Sequence, residues 1–104
     1  MQDENGFDPR WNGKSIPKKH WHFHQQLFAR YNITLGPGEF SQMLRDIKTG
    51  RATIIERRSS SKIVYMIRNT RLWERYFVLV TNGHVVTALP PSRRFKRLWR
   101  GLPD

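Results

Sequence analysis

Four short apolar runs follow one another in the second half of the chain. Each is rich in β-branched and aromatic residues, as strands are: RATIIERR (51–58), KIVYMIR (62–68), ERYFVLVT (74–81) and HVVTAL (84–89). A serine triplet separates the first two runs, and Asn82-Gly83 separates the last two. Asn-Gly between apolar runs favours a type I′ hairpin turn, which needs positive φ at both central residues. The pattern predicts an antiparallel meander of four strands.

Strict alternation along each predicted strand sorts its side chains onto two faces. In the last strand, alternation groups Thr87 with Val85. In the first strand it groups three side chains on one face: Thr53, Ile55 and Arg57. Because apolar residues fall on both faces, we expect helices to cover one side of the sheet and the C-terminal tail to cover part of the other.

Amphipathic stretches flank the strands. Apolar residues recur at three- and four-residue spacing over about residues 18–31, and again over about 39–48 after Gly36-Pro37-Gly38. A third stretch, within 92–104, combines helical spacing with many arginines and predicts a helix of about two turns. The predicted fold class is therefore α+β, with two N-terminal helices packed on a four-stranded antiparallel sheet and a short basic C-terminal helix.

The length of 104 residues supports one domain. Residues 1–17 combine glycines and prolines with polar residues and predict a flexible or loosely docked arm. The α+β domain then covers 18–91, and a basic amphipathic tail covers 92–104. The sequence has no cysteine and no long apolar run, so we expect neither a disulfide, nor a membrane span, nor a secretory signal, and we expect a cytoplasmic protein.

Charge changes this picture most. The chain carries 19 lysines and arginines against 8 acidic residues, a formal net charge of +11. Nucleic acid is the expected partner, because each cation placed on a phosphate releases condensed counterions. An anionic membrane surface, an acidic protein partner and simple solubility are the alternatives. The residues expected to contact nucleic acid are Arg58, Lys62, Arg75, Arg93, Arg94, Lys96 and Arg97, with Trp73, Tyr76 and Trp99 as stacking aromatics.

The run His20-Trp21-His22-Phe23-His24 raises the question of a metal site. On a helix only His20 and His24 could bind one ion together, and no third ligand stands at a suitable spacing. We therefore predict no metal site. The sequence also has no phosphate-binding glycine loop, so we predict no cofactor.

Acidic residues are too few for an enzyme that uses paired carboxylates. RNA cleavage needs only a base or acid, cations and hydroxyl groups, because the 2′-hydroxyl of the substrate is the nucleophile.

A family resemblance rests on the helix HFHQQLFARYNITL, the helix end IKTGRA, the strand IIERR and the last strand VVTALP. Over about residues 20–90 the chain resembles the BECR group of nucleases (barnase-like, EndoU-like, colicin-like and RelE-like RNases), and within it the small phage and proteobacterial members. The resemblance implies a catalytic site built from a first-helix histidine, a basic residue of an early strand and a hydroxyl of the last strand. By position these are His22, Arg57 and Thr87.

The same resemblance implies a metal-independent endoribonuclease of the toxin or phage-effector type. Such an enzyme acts on tRNA or mRNA, leaves a 2′,3′-cyclic phosphate and can have an acidic antitoxin or host protein as partner. Many relatives place a lysine or arginine where this chain has Tyr76-Phe77-Val78. Arg75 or Lys62 could replace that cation. Otherwise the fold serves a non-catalytic nucleic-acid-binding protein, or a phage inhibitor of a host protein, through the same basic surface.

Overall fold

The computed structural model describes residues 16–69 and 74–100. A 3₁₀ turn (Lys18–His20) precedes helices α1 (Trp21–Tyr31) and α2 (Pro37–Thr49). Strands β1 (Thr53–Arg57), β2 (Lys62–Asn69), β3 (Glu74–Thr81) and β4 (His84–Leu89) follow, and then helix α3 (Arg93–Arg100). The strands form one antiparallel sheet in the order β1-β2-β3-β4. The predicted fold class is confirmed.

The helix boundaries follow from local chemistry. Helix α2 begins two residues earlier than predicted, because Pro37 takes its first position and the Glu39 carboxylate accepts a hydrogen bond from the Gly36 amide at 3.0 Å. Gly50 ends α2 with a φ of 80°. Most of the predicted N-terminal arm and the β2–β3 connection, with Trp73, lie outside the described residues. In the part of the chain that is described, no helix is long and apolar enough to cross a membrane.

Helices α1 and α2 cover one face of the sheet, here called the helix face. Its strand residues include Tyr76 and Val78, which are 1% and 0% exposed, and they pack with Phe23 and Leu27 of α1 and Phe40 of α2. This cluster is the main core. The amphipathic stripes of both helices point into the sheet as predicted, except that Phe28 of α1 is 38% exposed and Phe23 is buried instead. The last turn of α1 lies at the end of β4, where Arg30 and Tyr31 donate hydrogen bonds to the Ala88 and Leu89 carbonyls.

Helix α3 covers part of the opposite face, here called the α3 face. Phe95 packs on Phe77 of β3, with ring centroids 5.1 Å apart, in a second cluster that includes Val64. Ser92 begins the helix by accepting a hydrogen bond from the Phe95 amide at 3.1 Å. The tail thus docks on the sheet through its large aromatic residues, as predicted for a small domain.

Two irregularities break the strict alternation predicted for the outer strands. The β1–β2 register shifts between Ile54 and Glu56, and the β3–β4 register shifts between Leu79 and Val80. A bulge inserts an extra residue, so the side chains beyond it change face. The predicted grouping of Thr53 with Arg57 is therefore wrong, and so is the grouping of Val85 with Thr87, because each pair is split between the two faces.

Gly83 in the hairpin turn and Gly38 in the first turn of α2 give a matched test of the predicted turn, because both have open space beside them. Gly83 has a φ of 81°, Gly38 has no such strain, and an added Cβ would meet no atom within 4 Å at either position. We expect Gly83→Ala to destabilise the protein by about 1–2 kcal/mol, because the left-handed conformation is costly for other residues. We expect Gly38→Ala to stabilise it by about 0.4–1 kcal/mol, by restricting the unfolded chain. Urea unfolding of both variants measures the difference, and equal effects would contradict it.

Candidate functional site

A cleft of about 710 Å³ opens on the helix face, at the end of the sheet where the two tight hairpins turn. Its volume lies within the usual range of small-molecule sites, roughly 300–1,000 Å³. We call it the histidine cleft. Its floor is apolar (Leu44, Ile47, Ile63, Tyr65, Val80 and Val85) and its rim is polar (Lys19, His20, Lys48, Ser60, Ser61, Asn82, Gly83 and His84).

One wall of the histidine cleft is made by two neighbouring turns. In a four-stranded meander the β1–β2 and β3–β4 turns emerge at the same end of the sheet, and here the Asn82 amide donates a hydrogen bond to the Ser61 carbonyl at 2.9 Å. Asn82 and Gly83 have φ values of 52° and 81°, as the predicted Asn-Gly turn requires. His84 follows immediately as the first residue of β4 and pairs with Thr81 at the end of the sheet. It lines the cleft there, and its charge acts on the His20 ring.

The opposite wall carries the second imidazole, that of His20. Its amide donates to the Pro17 carbonyl at 2.8 Å, and its ring meets Phe40 edge-on with centroids 4.9 Å apart. Burial lowers the pKa of His20 below its usual 6.5, and the charges of Lys19 and His84 lower it further. The His20 ring is therefore neutral at pH 7 and keeps a lone pair that can accept a proton.

The electrostatics of the histidine cleft favour an anion. Lys19 and Lys48 are exposed on its rim, and none of the described residues that line it is acidic. A second, smaller cleft of about 250 Å³ contrasts with it, because Glu39 and Asp46 are among its lining residues. A phosphate group is thus attracted to the histidine cleft and repelled by the two carboxylates of the smaller cleft.

The three predicted catalytic residues do not meet. His22 is exposed on α1 and is not part of the cleft lining. Arg57 pairs with Ile63, a floor residue, so it lies beside the cleft on the helix face. Thr87 pairs with Leu79 on the α3 face. Since β2 and β3 separate the two outer strands, Arg57 and Thr87 stand roughly 14 Å apart across the sheet, on opposite faces. The expected convergence around one phosphate is therefore wrong.

One predicted nucleic-acid contact is wrong, and three of the predicted arginines have partners within the protein. Tyr76 is only 1% exposed on the helix face and cannot stack on a base. Arg58 and Arg94 both pair with the Glu56 carboxylate. Arg75 lies over the Trp99 ring, with its guanidinium carbon 4.2 Å from the ring centroid. Lys62 is exposed at the start of β2, and the outer side of α3 carries the exposed Arg93, Lys96 and Arg97.

The histidine run does not form the metal site that its spacing suggested. His24 is 3% exposed and packs on Phe40 in the core, whereas His20 faces the cleft. Within residues 16–69 and 74–100, no group of three or more potential ligands could hold a metal ion. Sequence reasoning considered His20 only as a metal ligand and gave His84 no functional role. The one available signal was the position of His84 directly after the Asn-Gly turn.

The order of elements is the one that the BECR resemblance implies, but an order of elements does not identify a family. Membership in that group remains a prediction. Function must be inferred from the cleft, its charges and the basic helix on the other side of the sheet. No family model, curated protein or solved structure matches this chain.

Proposed function

We propose that the protein is a metal-independent endoribonuclease that binds and cleaves RNA in the histidine cleft. The observation that supports this best is the composition of the cleft rim: two imidazoles, two lysine ammonium groups and hydroxyl groups, with no carboxylate among the described lining residues. These are the groups that RNA transesterification requires. The proposal keeps the reaction implied by the sequence and moves its centre from His22 and Thr87 to His20 and His84.

The proposed reaction begins at the ribose 2′-hydroxyl. Neutral His20 accepts the hydroxyl proton, and the 2′-oxygen forms a bond to the adjacent phosphorus. The bond from phosphorus to the 5′-oxygen breaks, and that oxygen takes a proton from His84, which acts as the general acid. The products are a 2′,3′-cyclic phosphate and a free 5′-hydroxyl. The two histidines end with exchanged protonation states and are reset by water.

The other residues of the cleft stabilise the charge of the transition state and position the substrate. The ammonium groups of Lys19 and Lys48 stabilise the negative charge that increases on the phosphorane oxygens. Arg57, beside the floor residue Ile63, contributes a third cation at the edge of the cleft. The apolar floor, with the half-buried Leu44, Ile47 and Ile63, offers a surface on which one nucleobase can lie. The nucleophile belongs to the substrate, so this mechanism needs no metal-activated water.

The test of this function is cleavage of a labelled single-stranded RNA in the presence of EDTA. We expect cleavage with 2′,3′-cyclic phosphate ends, identified by mass spectrometry of the products. A matched strand with 2′-deoxyribose at every position is the control and should stay intact, because it lacks the nucleophile.

Binding of both strands without any product would support the alternative, a nucleic-acid-binding protein without catalysis. Cleavage of the deoxy strand, or cleavage that disappears on chelation, would contradict the proposed mechanism. The toxin or phage-effector setting and an acidic antitoxin or host partner remain predictions.

A further inference from the structure

The outer side of α3 carries four exposed cations, here called the α3 surface: Arg93, Lys96, Arg97 and Arg100. Arg93 and Arg97 are four residues apart, as are Lys96 and Arg100, so they form two short parallel rows along the helix. Neighbours within each row stand roughly 5–6 Å apart at their Cβ atoms. The surface lies on the α3 face, whereas the histidine cleft opens on the helix face.

The cations of the α3 surface repel one another along the helix. Like charges at four-residue spacing are unfavourable, and Arg93 in the first turn opposes the helix dipole, whereas Arg97 and Arg100 in the last turn are favoured by it. Helix α3 itself contains no acidic residue. The Glu56 carboxylate pairs with Arg94, which is outside the four. No acidic side chain of α3 offsets the repulsion between these cations. A charge cluster that is not compensated within the fold indicates a function, and a polyanion is the ligand that would neutralise it.

We infer that the α3 surface binds the phosphate backbone of double-helical nucleic acid, independently of the histidine cleft. Rows of guanidinium and ammonium groups on one rigid helix match a backbone whose charges are held in fixed rows. No nucleobase needs to be reached, so the binding does not depend on sequence. This gives the protein a second contact for structured RNA, beyond the cleavage proposed for the cleft.

The aromatic residues of α3 favour a duplex over a single strand. Single strands bind by stacking their bases on exposed aromatic rings. Phe95 is only 6% exposed, and the Trp99 ring is half-buried beneath Arg75. The described part of α3 therefore offers no free stacking surface, while its cations remain accessible.

The same burial argues against a membrane surface. An interfacial helix inserts its apolar side among the lipid chains. In α3 that side is used by the sheet, since Phe95 and Trp99 both pack in the cluster of the α3 face. Leu98, 38% exposed, is the large apolar side chain left on the outside of the described helix. One leucine provides little area for insertion, so a duplex is the better match.

Fluorescence anisotropy with a labelled 20-base-pair duplex of 2′-O-methyl RNA tests this inference, because such a duplex cannot be cleaved. We expect Arg97→Gln with Arg100→Gln to weaken binding about tenfold or more at 0.15 M salt. The slope of log K against log salt should fall by about 1.8, or 0.9 for each phosphate that is no longer neutralised. Glutamine keeps the helix propensity of arginine, so α3 should persist.

The matched control neutralises two exposed cations on the other side of the molecule, Arg45→Gln with Arg51→Gln, and should change the affinity less than threefold. Equal losses of affinity in the two double variants would overturn the inference, as would tighter binding to a single 2′-O-methyl strand or to vesicles of anionic lipid. Cleavage of a trinucleotide should be unchanged in the Arg97/Arg100 variant, and His84→Ala should still bind the duplex. Failure of the α3 surface and failure of the proposed catalysis are thereby distinguished.

Discussion

Replacing His84 by alanine is expected to lower the rate of RNA cleavage at least about a hundredfold, because a positioned general acid or base contributes 10²–10⁴-fold. The side chain is exposed at the start of β4, so its removal leaves no cavity in the core. Initial rates on a labelled RNA measure the loss. The urea midpoint of the same preparation should stay close to that of the parent protein, which separates lost chemistry from lost structure.

His22→Ala is the matched control, since His22 is also an exposed histidine but lies outside the cleft lining. The cleft mechanism predicts that this variant keeps its activity. If His22→Ala abolished cleavage while His84→Ala did not, the site implied by the family resemblance would be correct and the cleft assignment wrong.

Local chemistry explains why so much of the fold could be predicted from the sequence. The strands follow from runs of β-branched and aromatic residues, and the β3–β4 turn follows from Asn82-Gly83, whose φ values are both positive. The helix stripes follow from apolar spacing. Each of these signals lies within a few residues of the structure it determines, so tertiary contacts were not needed to interpret them.

The predicted catalytic site depended on a property that local pattern does not carry. Alternation assigns a face to each strand residue only while the register is regular, and each outer strand contains an irregularity. The shift at Leu79/Val80 moves Thr87 from the helix face to the α3 face, and the shift at Ile54/Glu56 moves Arg57 from the α3 face to the helix face. Both side chains change face, and their strands stay at opposite edges of the sheet. No residue type in either strand announces its bulge, because the twist of the sheet and its packing decide where the extra residue is accommodated.

The cleft histidines were missed for a different reason. His20 and His84 come from opposite ends of the described chain, and they share a cleft only after α1 packs along β4. Tyr76 illustrates the same limit. Alternation placed it correctly on a face of β3, but only the packing of α1 and α2 shows that this face is buried. Secondary structure can thus be predicted from this sequence, whereas the clefts depend on how the helices pack on the sheet.

The stability of the protein is expected to fall as the pH is lowered from 6.5 towards 4, because of His24. This side chain is 3% exposed between Phe23 and Phe40, and burial lowers its pKa from 6.5 to about 4, with a further contribution from His20. Below pH 6.5 the unfolded chain binds a proton at His24 that the folded protein does not accept until about pH 4. The stabilisation is therefore complete above pH 6.5 and is lost across this interval.

Urea unfolding at several pH values measures the effect. One pH unit between the two pKa values corresponds to about 1.4 kcal/mol, so lowering the pH from 6.5 to 5.0 should reduce the free energy of unfolding by about 2 kcal/mol. His24→Leu should remove most of this dependence, leaving the part due to His20, whose pKa is also lowered. His22→Leu, at an exposed position of the same helix, should leave it intact. An unchanged pH dependence in His24→Leu would show that the core imidazole is not the group that titrates.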